Sequence, residues 1–141
     1  MNYIHYRYSL WKLQNSRNST TNSFQKDIKN AKNNNKSRDE ISGIRSQAWF
    51  ETDCIDEEID DLNTRYWTDL ARRYCLPIPA IDREANKWTE GKYNGKRCLT
   101  KEAVLELRTL VRKEREVYLI WIAAFTGVLG ALTGLIAIIK S

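Results

Sequence analysis

Seven carboxylates crowd residues 51–61: Glu51, Asp53, Asp56, Glu57, Glu58, Asp60 and Asp61. Carboxylates at this density could hold a divalent cation. A calcium loop, however, sets its ligands at alternate residues around a glycine at its sixth position, and this run has neither feature. It also falls inside a helical pattern, so it reads as a solvated or arginine-facing helix surface, and no metal site is expected. His5 is the only histidine and has no paired base or second ligand in view. Cys54, Cys75 and Cys98 are odd in number and form no tight motif. They read as free thiols in a reducing compartment rather than as a disulfide framework or a zinc site. No phosphate loop, no Gly-x-Ser-x-Gly and no mutually reachable nucleophile and base occur. The chain therefore reads as a non-enzyme without a cofactor.

Aromatic and basic side chains interleave twice. The first set is Tyr6, Arg7, Tyr8, Trp11 and Lys12; the second is Arg65, Tyr66, Trp67, Arg72, Arg73 and Tyr74. Such sets can stack on nucleic-acid bases, pack between helices, or meet anionic lipid headgroups. Packing between helices is the first reading, lipid contact the second and nucleic acid the last.

The strongest pattern is apolar. Residues 117–139 contain no charged side chain, in a chain whose mean hydropathy is −0.60. A helix needs roughly 20 apolar residues to cross a ~30 Å hydrocarbon core, so this run is expected to be a single transmembrane helix. Arg108, Arg112, Lys113 and Arg115 precede it and only Lys140 follows it. By the positive-inside rule the N-terminal body lies in the cytoplasm and the C-terminus reaches the far side. With so few residues after the run, insertion would follow synthesis, which is the tail-anchored arrangement. Arg112, Lys113, Arg115, Tyr118 and Trp121 are the expected membrane-interface residues. Ala123, Gly127 and Ala131 repeat every four positions, as do Thr126, Gly130 and Gly134. These adjoining rows leave one helix face nearly flat, the small-xxx-small form through which membrane helices pack.

The elements that position these features are mostly helical. No N-terminal signal peptide is visible, because His5, Arg7 and Lys12 interrupt the apolar residues there. Ser37-x-x-Glu40 has the form of a capping box. After it Ile41, Ile44, Ala48, Ile55, Ile59, Leu62, Tyr66 and Leu70 recur at threes and fours, predicting a long helix to about Tyr74. Pro77 and Pro79 then stop it. Phe24, Ile28 and Ala31 form a weaker stripe before the box, and the polar residues 15–23 predict fraying or a break in that first helix. Antiparallel pairing about a bend near Asn34 would bring Arg17 near Asp53 and Lys12 near Glu57 or Glu58. Asn94-Gly95, between residues 87–93 and 96–99, predicts a β-hairpin with a type I′ turn. Thr100 is the expected N-cap of the last helix, with Leu99 and Val104 as its hydrophobic staple. Val104, Leu107 and Val111 supply a stripe for docking the helical hairpin or a second copy.

The expected fold is thus mostly α: an antiparallel, coiled-coil-like helical hairpin over residues 1–76, a proline-containing linker and small β-hairpin over 77–100, a juxtamembrane helix over 101–116 and a transmembrane span over 117–139. This layout, with residues 121–139, resembles small phage and bacterial membrane proteins that place a coiled coil before a C-terminal span, including haemolysin XhlA-like proteins. No residue role is carried over from that resemblance. The function expected from the residues is that of an oligomeric or adaptor protein. Its partners would be the lipid bilayer and, through the helical hairpin, a second copy or another protein. The alternative is a holin-like or toxin-like effector whose glycine-bearing span oligomerises.

Overall fold

The computed structural model describes residues 1–81 and 84–140; for residue 85 and residues 132–140 it describes the backbone alone. Among the described residues three α-helices, a single 3-10 turn (Ala85–Lys87) and one small antiparallel sheet make up the fold: α1 (Tyr3–Asn33), α2 (Arg38–Arg73), β1 (Trp88–Glu90), β2 (Arg97–Leu99) and α3 (Lys101–Lys140). α1 and α2 form the expected helical hairpin. The Ser37 capping box is in place: Ser37 Oγ accepts from the Glu40 N–H at 3.2 Å, and Glu40 Oε2 accepts from the Ser37 N–H at 3.0 Å. The Ser37 N–H and hydroxyl both donate to the Glu40 carboxylate and hold it below its usual range.

Both helices of the hairpin end in the same way. Asn35 has φ 52°, the Asn35 N–H reaches the Lys32 carbonyl, and the Lys36 N–H reaches the Ala31 carbonyl. Cys75 has φ 53°, the Cys75 N–H reaches Arg72, and the Leu76 N–H reaches Ala71. Each is a Schellman closure, with one left-handed residue after the helix. Leu76 also packs on the cluster that holds Ala71, the apolar contact that accompanies this motif. α2 is thus terminated at Arg73 before Pro77 can act.

The first helix departs from the sequence expectation. α1 runs unbroken through residues 15–23. Its inward positions there, Arg17, Thr20 and Thr21, are half-buried against α2, and Thr21 Oγ1 donates to the Arg17 carbonyl at 2.9 Å. Tertiary contact overrides the weak intrinsic propensity of those residues. The pairing register also differs. Arg17 binds Asp56 through two hydrogen bonds, the Nη2–Oδ2 one at 3.0 Å, rather than meeting Asp53. Glu57 faces the β-hairpin instead of Lys12.

The β-hairpin exists, but its turn is not the two-residue type expected. Trp88 pairs with Leu99, Thr89 with Cys98 and Glu90 with Arg97, leaving residues 91–96 as the loop. Gly95 alone of the Asn-Gly pair has a positive φ, 60°. The Gly95 N–H bonds the Gly91 carbonyl at 3.1 Å, and the Gly91 N–H bonds that of Lys96 at 2.8 Å. The loop closes around Glu57: the N–H groups of Tyr93 and Asn94 donate to its carboxylate at 3.0 and 3.1 Å. A Cβ on Gly91 would crowd Asn94 Oδ1 and stand 2.9 Å from Glu57 Oε2, so a larger residue there would displace the side chains that close the loop.

The core gathers where α3 meets the hairpin. Tyr6, Leu10, Tyr66, Leu70 and Val111 form one buried cluster; Ala71, Leu99, Ala103, Val104 and Leu107 form the next. The docking stripe Val104, Leu107 and Val111 is therefore satisfied within the chain, as is the staple of Leu99 and Val104. Thr100 Oγ1 accepts from the Ala103 N–H and caps α3. Thr64 is buried on α2 and its Oγ1 accepts from the Leu99 N–H at 2.8 Å, tying β2 to the bundle. Cys98 is buried beside it, and burial pushes its thiol pKa up.

Candidate membrane-facing end

The direction of α3 follows from its partners. Lys96 reaches Asp61, Leu99 reaches Thr64, Val111 packs with Leu70, and Arg115 reaches Tyr74. Residue numbers on α2 and α3 rise together, so the two helices run parallel. α1 runs against both, since Tyr6 meets Asn63 and Arg108 whereas Arg17 meets Asp56. The C-terminal end of α2 and the first turns of α1 therefore share one end of the bundle. α3 leaves the body past that same end.

An aromatic and arginine seam fixes the base of α3 there. The rings of Tyr6 and Tyr66 stack at 3.8 Å, 6° apart in plane. Trp67 meets both edge-on, at 6.2 and 5.0 Å. Arg108 lies 5.0 Å above the Trp67 ring and donates to Tyr6 Oη at 3.4 Å; Tyr6 Oη in turn donates to Asn63 Oδ1 at 2.7 Å. Arg115 donates to Tyr74 Oη at 3.2 Å. Burial pushes the Tyr66 hydroxyl pKa up, against the pull of Arg115. Both aromatic and basic sets of the sequence thus contribute to packing between helices. Tyr3, Ile4, Tyr8 and Trp11 remain exposed on α1.

Beyond Val111 the surface of α3 changes. Every described residue of 112–131 is exposed, including Ile120, Trp121 and Phe125 at 67, 71 and 67%. The expected interface residues fall here. Arg112 pairs with Glu116 at 3.0 Å, Arg115 is committed to Tyr74, and Lys113, Tyr118 and Trp121 face outward. Ala123, Thr126, Gly127, Gly130 and Ala131 also lie on exposed helix. A Cβ added to Gly127 or Gly130 would meet nothing within 4 Å. Thr126 Oγ1 turns back to the Ile122 and Ala123 carbonyls, which keeps its hydroxyl against the backbone. Among the described residues, no helix is long and apolar enough to cross a membrane. The described side chains of the run stop at Ala131, roughly 22 Å of helix from Val117 against the ~30 Å of a hydrocarbon core. Gly134 and the remainder of the expected span lie outside the described side chains.

The acidic run has a structural task. Asp56 holds Arg17, Glu57 holds the hairpin tip, and Asp61 accepts from Arg65 and Lys96 at 2.6 and 2.9 Å. Burial raises the Asp61 pKa, but those two hydrogen bonds outweigh it and hold the carboxyl below its usual range. Asp60 is pushed up by burial, with Lys101 opposing. Sequence reasoning missed the anchoring of the loop by Glu57, because a partner 36 residues away leaves no local signal. It also placed the aromatic residues only by class. The Tyr6–Tyr66 stack follows from the antiparallel register about the bend once that register is known.

No family model matches the chain, and no curated protein and no solved structure matches it, so the resemblance to haemolysin XhlA-like proteins supplies no argument about its function.

Proposed function

We propose that the chain is a non-enzymatic, membrane-anchored interaction protein whose helical body stands on the cytoplasmic side of a bilayer. One observation carries the reading: an apolar helical surface leaves a packed body, and its side chains from Arg112 to Ala131 are exposed among the described residues. In the sequence the run continues without charge over residues 117–139, about 35 Å at 1.5 Å per residue, which matches a hydrocarbon core. Exposed apolar surface on this scale marks a membrane or partner site. The proposed role of the body is to hold a second copy or another protein through the hairpin. The small-residue face of α3 would reinforce the assembly.

Carbonate extraction of membranes carrying the full chain tests the anchor. The chain should stay in the pellet, and Ile122→Arg with Leu129→Arg should move it to the supernatant. An arginine at the centre of a span, as at position 129, costs about 2.5–3.5 kcal/mol on insertion scales, and the one at position 122 adds a smaller cost. A parent chain that is freely released by carbonate overturns the reading. Protease digestion of sealed vesicles tests the side: with the cytoplasmic face outward, residues 1–111 should be cleaved.

The open space around Gly127 and Gly130 favours a second reading, a membrane-active effector assembled through that face. It predicts that expression collapses the membrane potential and that Gly130→Leu prevents the collapse. An intact potential at high expression counts against it.

A further inference from the structure

The end of the bundle past which α3 leaves carries a second set of exposed groups. Tyr3 and Ile4 occupy the first turn of α1, and Ile4 is 78% exposed. Arg7 follows on the same helix, and Arg72 sits in the last turn of α2. Asp69 at this end already binds Arg73 and the Met1 amine, and Glu116 binds Arg112. Among the described residues Arg7, Arg72 and Lys113 enter no ion pair. Among the described residues Glu114, beside Lys113, is likewise outside any ion pair, so the end presents a net positive charge around apolar and aromatic side chains.

Its height relative to the apolar run decides what it can touch. Arg108 donates to Tyr6 Oη, so these two residues mark a common level. Because α1 runs against α3, Ile4 lies about 3 Å beyond that level and Val117 about 14 Å beyond it, at 1.5 Å per residue. About 11 Å along the axis separates them. A headgroup layer adds roughly 5–8 Å to each side of the hydrocarbon core, so a bilayer that begins at Val117 brings its headgroups to within a side-chain length of Ile4. Side chains of α1 lean toward its N-terminus, which closes the remaining gap.

We propose that the bundle end built from Tyr3, Ile4 and Arg7 of α1 and Arg72 of α2 is a second membrane contact, seated on anionic lipid headgroups. The contact rests on the anchoring of α3 and extends it: the body stands end-on at the bilayer. Arginine side chains meet the phosphates while Tyr3 and Ile4 enter the interfacial layer, where amphipathic rings are favoured.

The test uses the full chain in phosphatidylcholine vesicles with and without phosphatidylserine. A benzophenone side chain is placed at one of three positions by Ile4→p-benzoylphenylalanine, Ser23→p-benzoylphenylalanine or Val128→p-benzoylphenylalanine. Illumination should give lipid adducts at positions 128 and 4, and about ten-fold fewer at 23, which is exposed on the same α1 but nearly 30 Å further from the bilayer. Arg7→Glu together with Arg72→Glu should lower the adduct at position 4 about ten-fold or more in the vesicles with phosphatidylserine and leave that at 128 unchanged. Adducts at 128 with none at 4 overturn the second contact and spare the anchor. Adducts at none of the positions overturn the anchor itself. A protein-to-protein adduct at position 4 assigns that end to a second copy and overturns the lipid contact.

Discussion

The two ends of the α1–α2 hairpin are built on different plans. At the open end a third helix and a β-hairpin close over the pair, and Tyr6, Leu10, Tyr66, Leu70 and Val111 leave water together. At the bend Ile28, Ile41 and Ile44 stay half-exposed, and of the residues there only Ala31 is buried. Two helices alone can hide a stripe but cannot seal it; a third face is needed for a core. The difference teaches that the stability of this chain is concentrated beside the point where α3 departs. The bend, some 45 Å away along α1, is held by local bonds, and the stretch leading to it by surface pairs such as Arg17–Asp56. Such pairs contribute about 0–1 kcal/mol each.

The sharpest way to break this contrast is to truncate one apolar side chain at each end. Leu107→Ala should cost about 3 kcal/mol, within the 2–5 kcal/mol common for buried leucine, and lower the denaturation midpoint of the body as a whole. Ile44→Ala should cost under about 1 kcal/mol, since little apolar area is lost where the side chain is already half in water. Equal losses would show that the bend shares the core and that the contrast is false. Thr64→Val comes next. It removes the acceptor of the buried Leu99 N–H at nearly constant volume and should cost about 1–3 kcal/mol. Amide exchange should accelerate first in residues 97–99.

Ser37→Ala is smaller and belongs to the bend. Loss of the cap should cost about 1 kcal/mol of local stability. Amide exchange should quicken at residues 38–41 and stay unchanged at residues 64–71. The smallest effect is electrostatic and depends on pH. The Asp61 pKa is lowered in the folded state, so its contribution is fully present above the ordinary carboxylate range. It is lost as pH falls through the depressed folded value. Asp61→Asn should therefore lower the urea midpoint at pH 7, and the gap from the parent should close on acidification. A gap that widens in acid would reverse the assignment.

Much of the architecture could be read from local signals. Ser37 and Glu40, Thr100 with Leu99 and Val104, and the stripe from Ile41 to Leu70 each declare themselves within a few positions, because caps and helix faces are short-range devices. Residues such as Thr20 and Thr21 mislead for the opposite reason: their weak helix preference is real, but α2 supplies what they lack. Cys75 is less legible still. A left-handed residue after a helix is normally glycine or asparagine, as Asn35 illustrates, and nothing in the sequence marks a cysteine for that place. Asn94-Gly95 gave a hairpin but the wrong turn, since Glu57 and Gly91 reshape the loop from outside it. At the end past which α3 leaves, the apolar run was plain. The aromatic seam that fastens it was not, because stacking Tyr6 on Tyr66 requires knowing how the helices register.

Cys98 lies shut beneath the β-hairpin with a thiol that burial makes reluctant to ionise, whereas Cys75 stands open to solvent. Alkylating reagents act on the thiolate, so Cys75 should be modified promptly and Cys98 only in the moments when β2 lifts from α2. The lag between the two is a clock inside the chain, and its pace reports how often the hairpin lets go.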